Sequence, residues 1–204
     1  TFNGVPVNHI ARLNTDGSLD STFNTGTGAD DDVRCTSIQI DGKIIIAGEL
    51  AFYNGYPIYN IARLNTDGSL DTTFISNGGA KGSLGRIQTI SIQSDGKIII
   101  GGSFSTFYGI TFNGVARLNT DGTLDTTFTT GSGAKASSSV YTLSYQSDGK
   151  IIVGGGFSSF SGSAAGSLVR LNSDGSIDTT FFTGTGAEGR VFTTALQGDG
   201  KIII

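Results

Sequence analysis

The sequence has 204 residues, a net charge of −4 and a hydrophobic fraction of 37%, which is the balance of a folded globular protein even though 32 residues are glycine. Its single cysteine, Cys35, excludes disulfide scaffolds and cysteine-based zinc modules, and a Ser/His/Asp triad would have to use the single histidine, His9. The longest apolar runs are far shorter than the roughly 18 residues that span a bilayer.

Two phrases recur four times along the chain. The recurring arginine of the first phrase, at positions 12, 63, 117 and 170, is separated by steps of 51, 54 and 53 residues. A period near 50 residues indicates propeller blades or solenoid coils. The first phrase covers Ala11–Asp20, Ala62–Asp71, Ala116–Asp125 and Val169–Asp178, and the second begins at Asp41, Asp95, Asp148 and Asp199.

The local pattern within each unit is that of antiparallel strands. Residues 10–14 lead into Asp16-Gly17 and residues 18–23 leave it, while residues 33–39 lead into Asp41-Gly42 and a run of isoleucines follows. Asp-Gly between two β-rich segments predicts a hairpin, with Gly42 supplying the positive φ of a type I′ turn. Each unit is therefore predicted to contain four strands, a to d, with tight turns joining a to b and c to d.

The predicted fold class is all-β, a β-propeller of four-stranded antiparallel blades with 51–54 residues per repeat. We expect one repeat domain with four visible units, at about 1–46, 47–100, 101–153 and 154–204. Because both ends fall inside a unit, we also expect these residues to be a window on a longer array.

The phrases at residues 63–74 and 94–104, Arg-Leu-Asn-Thr-Asp-Gly-Ser-Leu-Asp-Thr-Thr-Phe and Ser-Asp-Gly-Lys-Ile-Ile-Ile-Gly-Gly-Ser-Phe, resemble the delta-60 repeat of bacterial and phage β-propellers. The resemblance covers all four units and implies a propeller module of large secreted, cell-surface or virion proteins. It implies no general catalytic residues. The first unit departs from the pattern at Ala47-Gly48-Glu49-Leu50.

The four units differ most on one predicted side of the propeller. The a–b and c–d turns repeat almost without change, and we call their side the turn face. The b–c and d–a connections vary in sequence, and the d–a connections also vary in length; we expect both on the opposite side, the loop face. Since connecting segments carry most binding residues, specific binding is expected on the loop face.

The charges divide in the same way. Four arginines, four lysines and twelve aspartates recur and account for the whole net charge of −4, while the other ten charges cancel. The recurring arginine lies in the middle of strand c, so we expect it to pair with a recurring aspartate of its own or the next blade. Because no basic stripe remains, we expect neither nucleic acid binding nor membrane insertion.

Aromatic and polar residues that break the repeat are the candidate ligand contacts. Rings beside Asn, Ser and Thr suit a carbohydrate, suit a protein interface equally well, or simply fill space between loops. The predicted ligand-binding residues are Tyr56, Tyr59, Asn60, His9, Tyr108, Phe112, Asn113, Arg86, Tyr141 and Arg190.

We predict no catalytic residue, no metal site and no cofactor. The run Asp30-Asp31-Asp32 could offer oxygen ligands to Ca²⁺, but it lacks the spacing of an EF-hand, so a solvated loop is the favoured interpretation. When the four units are aligned, Cys35 occupies the position of Thr89, Thr142 and Thr193, so we expect it to be an inert thiol. Outside the recurring charges there are five acidic residues, three of them in one loop, which is a poor basis for the carboxylate pair of a glycosidase.

The leading hypothesis is a non-enzymatic extracellular or virion-surface module that acts as a spacer, an adhesin or a receptor-binding unit. Its partner would be a surface glycan or a protein receptor. The alternative is a repeat that serves only assembly with sister subunits, as in a phage tail or a cell-surface filament. A propeller glycosidase or lyase is the third possibility and needs catalytic groups that the sequence does not offer.

Overall fold

Every regular element in the described part of the chain is a β-strand. The computed structural model describes residues 1–74, 79–81, 85–134 and 138–204. No helix in these ranges is long and apolar enough to cross a membrane. The strands are β1 (Val33–Ile38), β2 (Ile44–Gly48), β3 (Phe52–Tyr53), β4 (Tyr56–Pro57), β5 (Ile61–Leu64), β6 (Ala80–Lys81), β7 (Arg86–Ile92), β8 (Ile98–Ser103), β9 (Thr106–Phe107), β10 (Ile110–Thr111), β11 (Val115–Leu118), β12 (Val140–Tyr145), β13 (Ile151–Gly155), β14 (Ser159–Phe160), β15 (Ser163–Ala164), β16 (Leu168–Leu171), β17 (Ala195–Leu196) and β18 (Ile202–Ile203).

Three antiparallel sheets form blades of the same design. Blade 1 has the order β1-β2-β5, blade 2 contains β7, β8 and β11, and blade 3 contains β12, β13 and β16. In each blade these are strands a, b and c, and the first strands of neighbouring blades pack on each other. Residues 1–23 supply a c–d segment before blade 1, and β17 pairs with β18 after blade 3. The predicted all-β propeller architecture is confirmed.

The fourth strand of each blade is shorter than the sequence predicts. Strand d is reduced to a single bridge, which in blade 1 joins Leu64 to Leu70. Directly afterwards Asp71 Oδ1 accepts hydrogen bonds from the backbone N–H and hydroxyl of Thr73, and Phe74 N–H bonds to Asp71 O. This turn takes the backbone out of the sheet, so the blades have three strands and a bridge.

The tight turns also differ in type from the prediction. Gly42 has φ +82°, but Asp41 does not have a positive φ, as a type I′ turn would require. Gly42 N–H bonds to Gln39 O, and Gln39 N–H bonds to Lys43 O. The loop therefore has three residues, a type I turn followed by a glycine in the left-handed region.

The core lies between the blades and is built mainly from strand b. Its isoleucines are buried on both faces of the sheet, as in Ile45, Ile46 and Ile100, because a blade is covered by a neighbour on each side. Ile45 of blade 1 and Ile100 of blade 2 belong to one hydrophobic cluster. The recurring phenylalanines Phe74, Phe104, Phe128 and Phe157 also belong to the core and are 7% exposed or less, whereas Phe23 and Phe181 of the same set are half-buried.

Each complete blade places one aspartate between two cations. Asp71 Oδ2 lies 2.8 Å from Arg63 Nε of strand c and 2.7 Å from Lys43 Nζ of strand b, while its other oxygen binds Thr73. The arginine thus pairs with an aspartate of its own blade, as predicted. The same arrangement recurs around Asp125 with Arg117 and Lys97, and around Asp178 with Arg170 and Lys150.

The arginine of this network also joins neighbouring blades. Arg63 Nη1 donates to Thr120 O in the c–d turn of blade 2, at 2.6 Å, and Arg117 Nη1 donates to Ser173 O of blade 3 at the same distance. The guanidinium lies over a recurring phenylalanine, 4.6 Å from the ring centre for Arg117 and Phe128. One side chain therefore connects an aspartate, a ring and the next blade.

We predict that Arg117→Met destabilises the protein much more than Arg12→Met. The Arg117 side chain is 8% exposed, so its loss leaves a buried carboxylate short of a partner and should lower the free energy of unfolding by about 3 kcal/mol or more. Arg12 makes the corresponding contacts at 38% exposure, where an ion pair contributes about 1 kcal/mol or less. Urea denaturation of the two variants measures the difference, and equal losses would contradict it.

Candidate functional site

The inner rim of the loop face begins at a β-bulge in strand a. In each blade the register of strand a against strand b shifts by one residue, which leaves Arg34, Gln88 and Tyr141 without a partner in the ladder. A bulge re-aims the side chain of its extra residue and frees it from cross-strand packing. This explains why the sequence varies so widely at a column inside an otherwise regular strand.

The junction between blades 1 and 2 is an ion-pair network centred on Glu49. Arg34 donates from Nε to Glu49 Oε1 at 2.7 Å, and its Nη2 contacts the same oxygen. Arg86 Nε lies 2.7 Å from Glu49 Oε2, although its N–H is not aligned for a hydrogen bond. Asp32 Oδ2 is 3.6 Å from Arg34 Nη2. The predicted ligand contact Arg86 is therefore held by the neighbouring blade.

The next two junctions use different chemistry at corresponding positions. Between blades 2 and 3, Ser103 Oγ lies 2.6 Å from Ser139 Oγ and accepts a hydrogen bond from the Gln88 amide at 2.8 Å. After blade 3, the rings of Tyr141 and Phe192 stack with their centres 5.0 Å apart. Arg190, also a predicted contact, is exposed, and its aliphatic stem lies over Gly156.

The outer part of the loop face is formed by the hairpins β3–β4, β9–β10 and β14–β15. Tyr56 and Tyr59 of the first hairpin are 57% and 44% exposed. Tyr53 of the same hairpin is fully buried and donates its hydroxyl to Gly68 O at 2.8 Å, and burial raises its pKa. Phe52 of the same hairpin is 47% exposed, so the hairpin uses one ring as an anchor and presents three to solvent.

The second hairpin presents fewer rings than expected. Tyr108 packs on Phe107, with ring centres 5.0 Å apart, and donates its hydroxyl to Gly122 O; burial raises its pKa to about 12. Phe112 is 6% exposed and belongs to the core, so the expectation of an exposed ring there is wrong. Its counterparts Ile58 and Ala165 are also buried, which identifies a core column.

The polar members of the predicted set position the loops. Asn60 Nδ2 donates to Ala80 O at 3.1 Å and to Gly85 O at 2.6 Å, and Asn113 Nδ2 donates to Ser132 O at 2.6 Å. Asn60 and its counterparts in the other units all have positive φ. The exposed His9 shares this column, and its Nδ1 lies 3.9 Å from Asp32 Oδ1. The positive φ at this position is thus one reason why the units have Asn, Gly, Ser or His there.

The acidic run and the cysteine have structural surroundings. Asp30 Oδ1 accepts hydrogen bonds from Ala51 N–H and Phe52 N–H, which ties the d–a connection to the b–c connection. Burial raises the pKa of the Cys35 thiol to about 12, in line with the expectation of an inert thiol. Among the described residues, no three His, Cys, Asp or Glu side chains lie close enough together to hold a metal ion.

Sequence reasoning missed the ion pairs that Glu49 forms with Arg34 and Arg86, because it paired no charges outside the recurring set. A signal was present, because Glu49 is the one acidic residue at the end of strand b, where the next two units have Ser103 and Gly156. The partner Arg86 lies 37 positions away, and only the packing of two blades brings the three side chains together.

We predict that Asn60→Gly and Asn60→Ala have graded effects on stability. Glycine keeps the positive φ of 72° and loses two hydrogen bonds, at a cost of about 1–2 kcal/mol. Alanine loses the same bonds and adds about 1 kcal/mol of backbone strain. Thermal unfolding should rank wild type, Asn60→Gly and Asn60→Ala in that order; no change in either variant would show that Asn60 does not position the d–a loop.

The repeats match a known sequence family. The sequence profile described as a domain of unknown function (DUF5122) beta-propeller matches residues 1–23, 39–74, 93–128 and 146–181, more than half of the chain. No curated protein matches it significantly.

Two solved structures from Bacteroides align with this chain. The extracellular domain of a proposed one-component system from B. thetaiotaomicron aligns with a TM-score of 0.53 and 17% identity over 84% of this chain and 19% of its own. A protein of unknown function from Bacteroides caccae aligns with a TM-score of 0.48 and 13% identity over 82% of this chain and 56% of its own. The chain thus spans about a fifth of the first structure and about half of the second. With its four matched repeats, the chain belongs to the DUF5122 β-propeller family.

Proposed function

We propose that the protein is a non-enzymatic module of an extracellular, cell-surface or virion protein and that it binds a surface glycan or a protein receptor on its loop face. The observation that carries this proposal is the exposed pair Tyr56 and Tyr59 on the β3–β4 hairpin. Exposed amphipathic rings held on a fixed hairpin offer contact area at a low cost in conformational entropy.

The use of the carboxylates supports a role without catalysis. Asp71, Asp125 and Asp178 are each held by an arginine and a lysine of their own blade. Of the acids outside the framework, Glu49 is bridged by two arginines and Asp30 caps two backbone N–H groups. A glycosidase needs an acid and a second carboxylate that face one substrate, and these groups are committed to the fold.

The location is part of the proposal. The B. thetaiotaomicron neighbour is an extracellular domain, and the repeats resemble the delta-60 type found in secreted, surface and virion proteins. A net charge of −4 without a basic stripe fits a partner other than nucleic acid. The alternative role, assembly with sister subunits, is an outcome of the same experiment.

We predict that the double variant Tyr56→Ser, Tyr59→Asn loses ligand binding and keeps its melting temperature. These substitutions copy what the chain has at the same positions of other hairpins, Ser163 and Asn113, and Asn tolerates the φ of 51° at Tyr59. The matched control is Ile110→Ser, which removes a 49% exposed side chain from the position of Tyr56 in the next hairpin.

The measurement is a glycan array together with a pull-down from host surface extracts, scored with both variants. Binding that survives in the double variant would contradict the proposed site. Absence of any ligand, combined with an ordered oligomer in solution, would favour assembly instead. Hydrolysis of a polysaccharide that is abolished by Glu49→Gln would contradict the non-enzymatic role.

A further inference from the structure

The turn face contains a cavity between blades 1 and 2 that the loop-face function does not use. Its volume is about 400 Å³, which lies within the range of small-ligand sites. Blade 1 contributes Gln39, Ile40 and Arg63, and blade 2 contributes Ile92 and Ser94. The cavity is therefore lined by blade 1 on one side and by blade 2 on the other.

The next junction shows what fits this space. At the junction of blades 2 and 3, Tyr145 stands where blade 2 has Ile92, and Ser94 stands where blade 1 has Ile40. Tyr145 reaches across the junction, with its hydroxyl oxygen 3.4 Å from Ser94 Oγ. A phenol ring therefore spans the equivalent position there. Because Ile92 is shorter, the corresponding space between blades 1 and 2 stays open.

The walls of the cavity combine apolar surface with an acceptor. Ile92 is half-buried, and Ile40 is fully exposed at the rim, at a position where other units have serine or glycine. Gln39 is 9% exposed, and its Oε1 has no hydrogen-bond partner within the described residues. An exposed isoleucine beside an unpaired buried carbonyl suits a ring that carries a hydroxyl group.

The rim of the cavity is acidic. Asp41 and Asp95 each accept a hydrogen bond from a backbone N–H of their own turn, and neither forms an ion pair in the described part of the chain. The buried Arg63 is held below the rim by Asp71, at 2.8 Å, a carboxylate that it shares with Lys43. Complementary charge at a rim steers binding, so a cationic ligand is favoured.

We infer that this cavity binds a phenol ring with a positive charge beside it, presented by a protein partner as a tyrosine next to a basic residue. The ring lies between Ile40 and Ile92 as Tyr145 lies in the next junction, and the basic group faces Asp41 and Asp95. Aliphatic walls without an aromatic platform favour this occupant over a sugar, which stacks on aromatic rings.

The test is an NMR titration of the full chain with tyramine, which carries both a phenol and an ammonium group. We expect shifts of the amide signals of residues 39–41 and 92–96. The variant Ile40→Ser, Ile92→Tyr rebuilds the pair of the next junction and fills the cavity, so it should weaken tyramine binding at least tenfold. The variant Asp41→Asn, Asp95→Asn should weaken it several-fold and keep the ring site.

Two further probes decide the ligand class. The anion 4-hydroxyphenylacetate should bind more weakly than tyramine to the wild type, and glucosamine should not shift these signals. Undiminished tyramine binding in the filled variant, or no shift in the wild type, would overturn the inference, and so would equal binding of the anion. Glucosamine binding at the same residues would show that the ligand is a sugar and not an aromatic ring.

If the filled variant fails to fold, the aspartate variant and the anion still test whether a cationic ligand binds in this cavity. None of these results depends on Tyr56 or Tyr59, so failure of the cavity proposal and failure of the loop-face proposal can be told apart.

Discussion

The aspartate that follows each c–d turn is the group on which the blade depends. In blade 1, one oxygen of Asp71 pairs with an arginine and a lysine. The other oxygen accepts hydrogen bonds from the backbone N–H and the hydroxyl of Thr73, and this turn ends strand d. The arginine then reaches the next blade, as Arg63 does at Thr120 O. A buried guanidinium and a buried carboxylate each destabilise the fold when they lack a partner. The arginine and the aspartate of a blade are therefore needed together. This explains the recurrence of the four arginines, the four lysines and four of the twelve aspartates; the other eight recurring aspartates accept backbone N–H groups in the Asp-Gly turns.

Much of the architecture could be predicted from the repeat, and the errors have physical causes. The periodic phrases predict the hairpins, the buried isoleucines and the arginine–aspartate pair. They also suggest a full strand d, because Leu70 continues the apolar alternation; the side chain of Asp71 overrides it by capping the following turn. The sequence predicts the wrong type for the Asp-Gly turn because a two-residue and a three-residue loop share the same dipeptide. The backbone separates them through the φ of Asp41 and the hydrogen bond from Gly42 N–H to Gln39 O.

The candidate site was less predictable, since variation between units has several causes. Arg86 and Tyr141 vary because each junction between blades has its own contact, an ion pair at one and stacked rings at another. Asn60 and Asn113 serve the loops, and Phe112 belongs to a core column. Tyr56 and Tyr59 remain exposed and carry the loop-face proposal. The cavity on the turn face shows that the more regular side can also differ between units, since one isoleucine in place of a tyrosine leaves it open.

The acid stability of the protein tests the aspartate network most directly. Burial of Asp125 acts to raise its pKa, but hydrogen bonds from Lys97 and Thr127 and the charge of Arg117 outweigh it and hold the pKa below its ordinary value. A depressed pKa stabilises the fold above the unfolded pKa of about 3.9, and this contribution is lost as the pH falls below it. Thermal unfolding between pH 7 and pH 2 should therefore show a plateau and then a decline from about pH 4, with a shallower decline in Asp125→Asn. A melting temperature that stays constant down to pH 2, or an equally steep decline in the variant, would contradict the account.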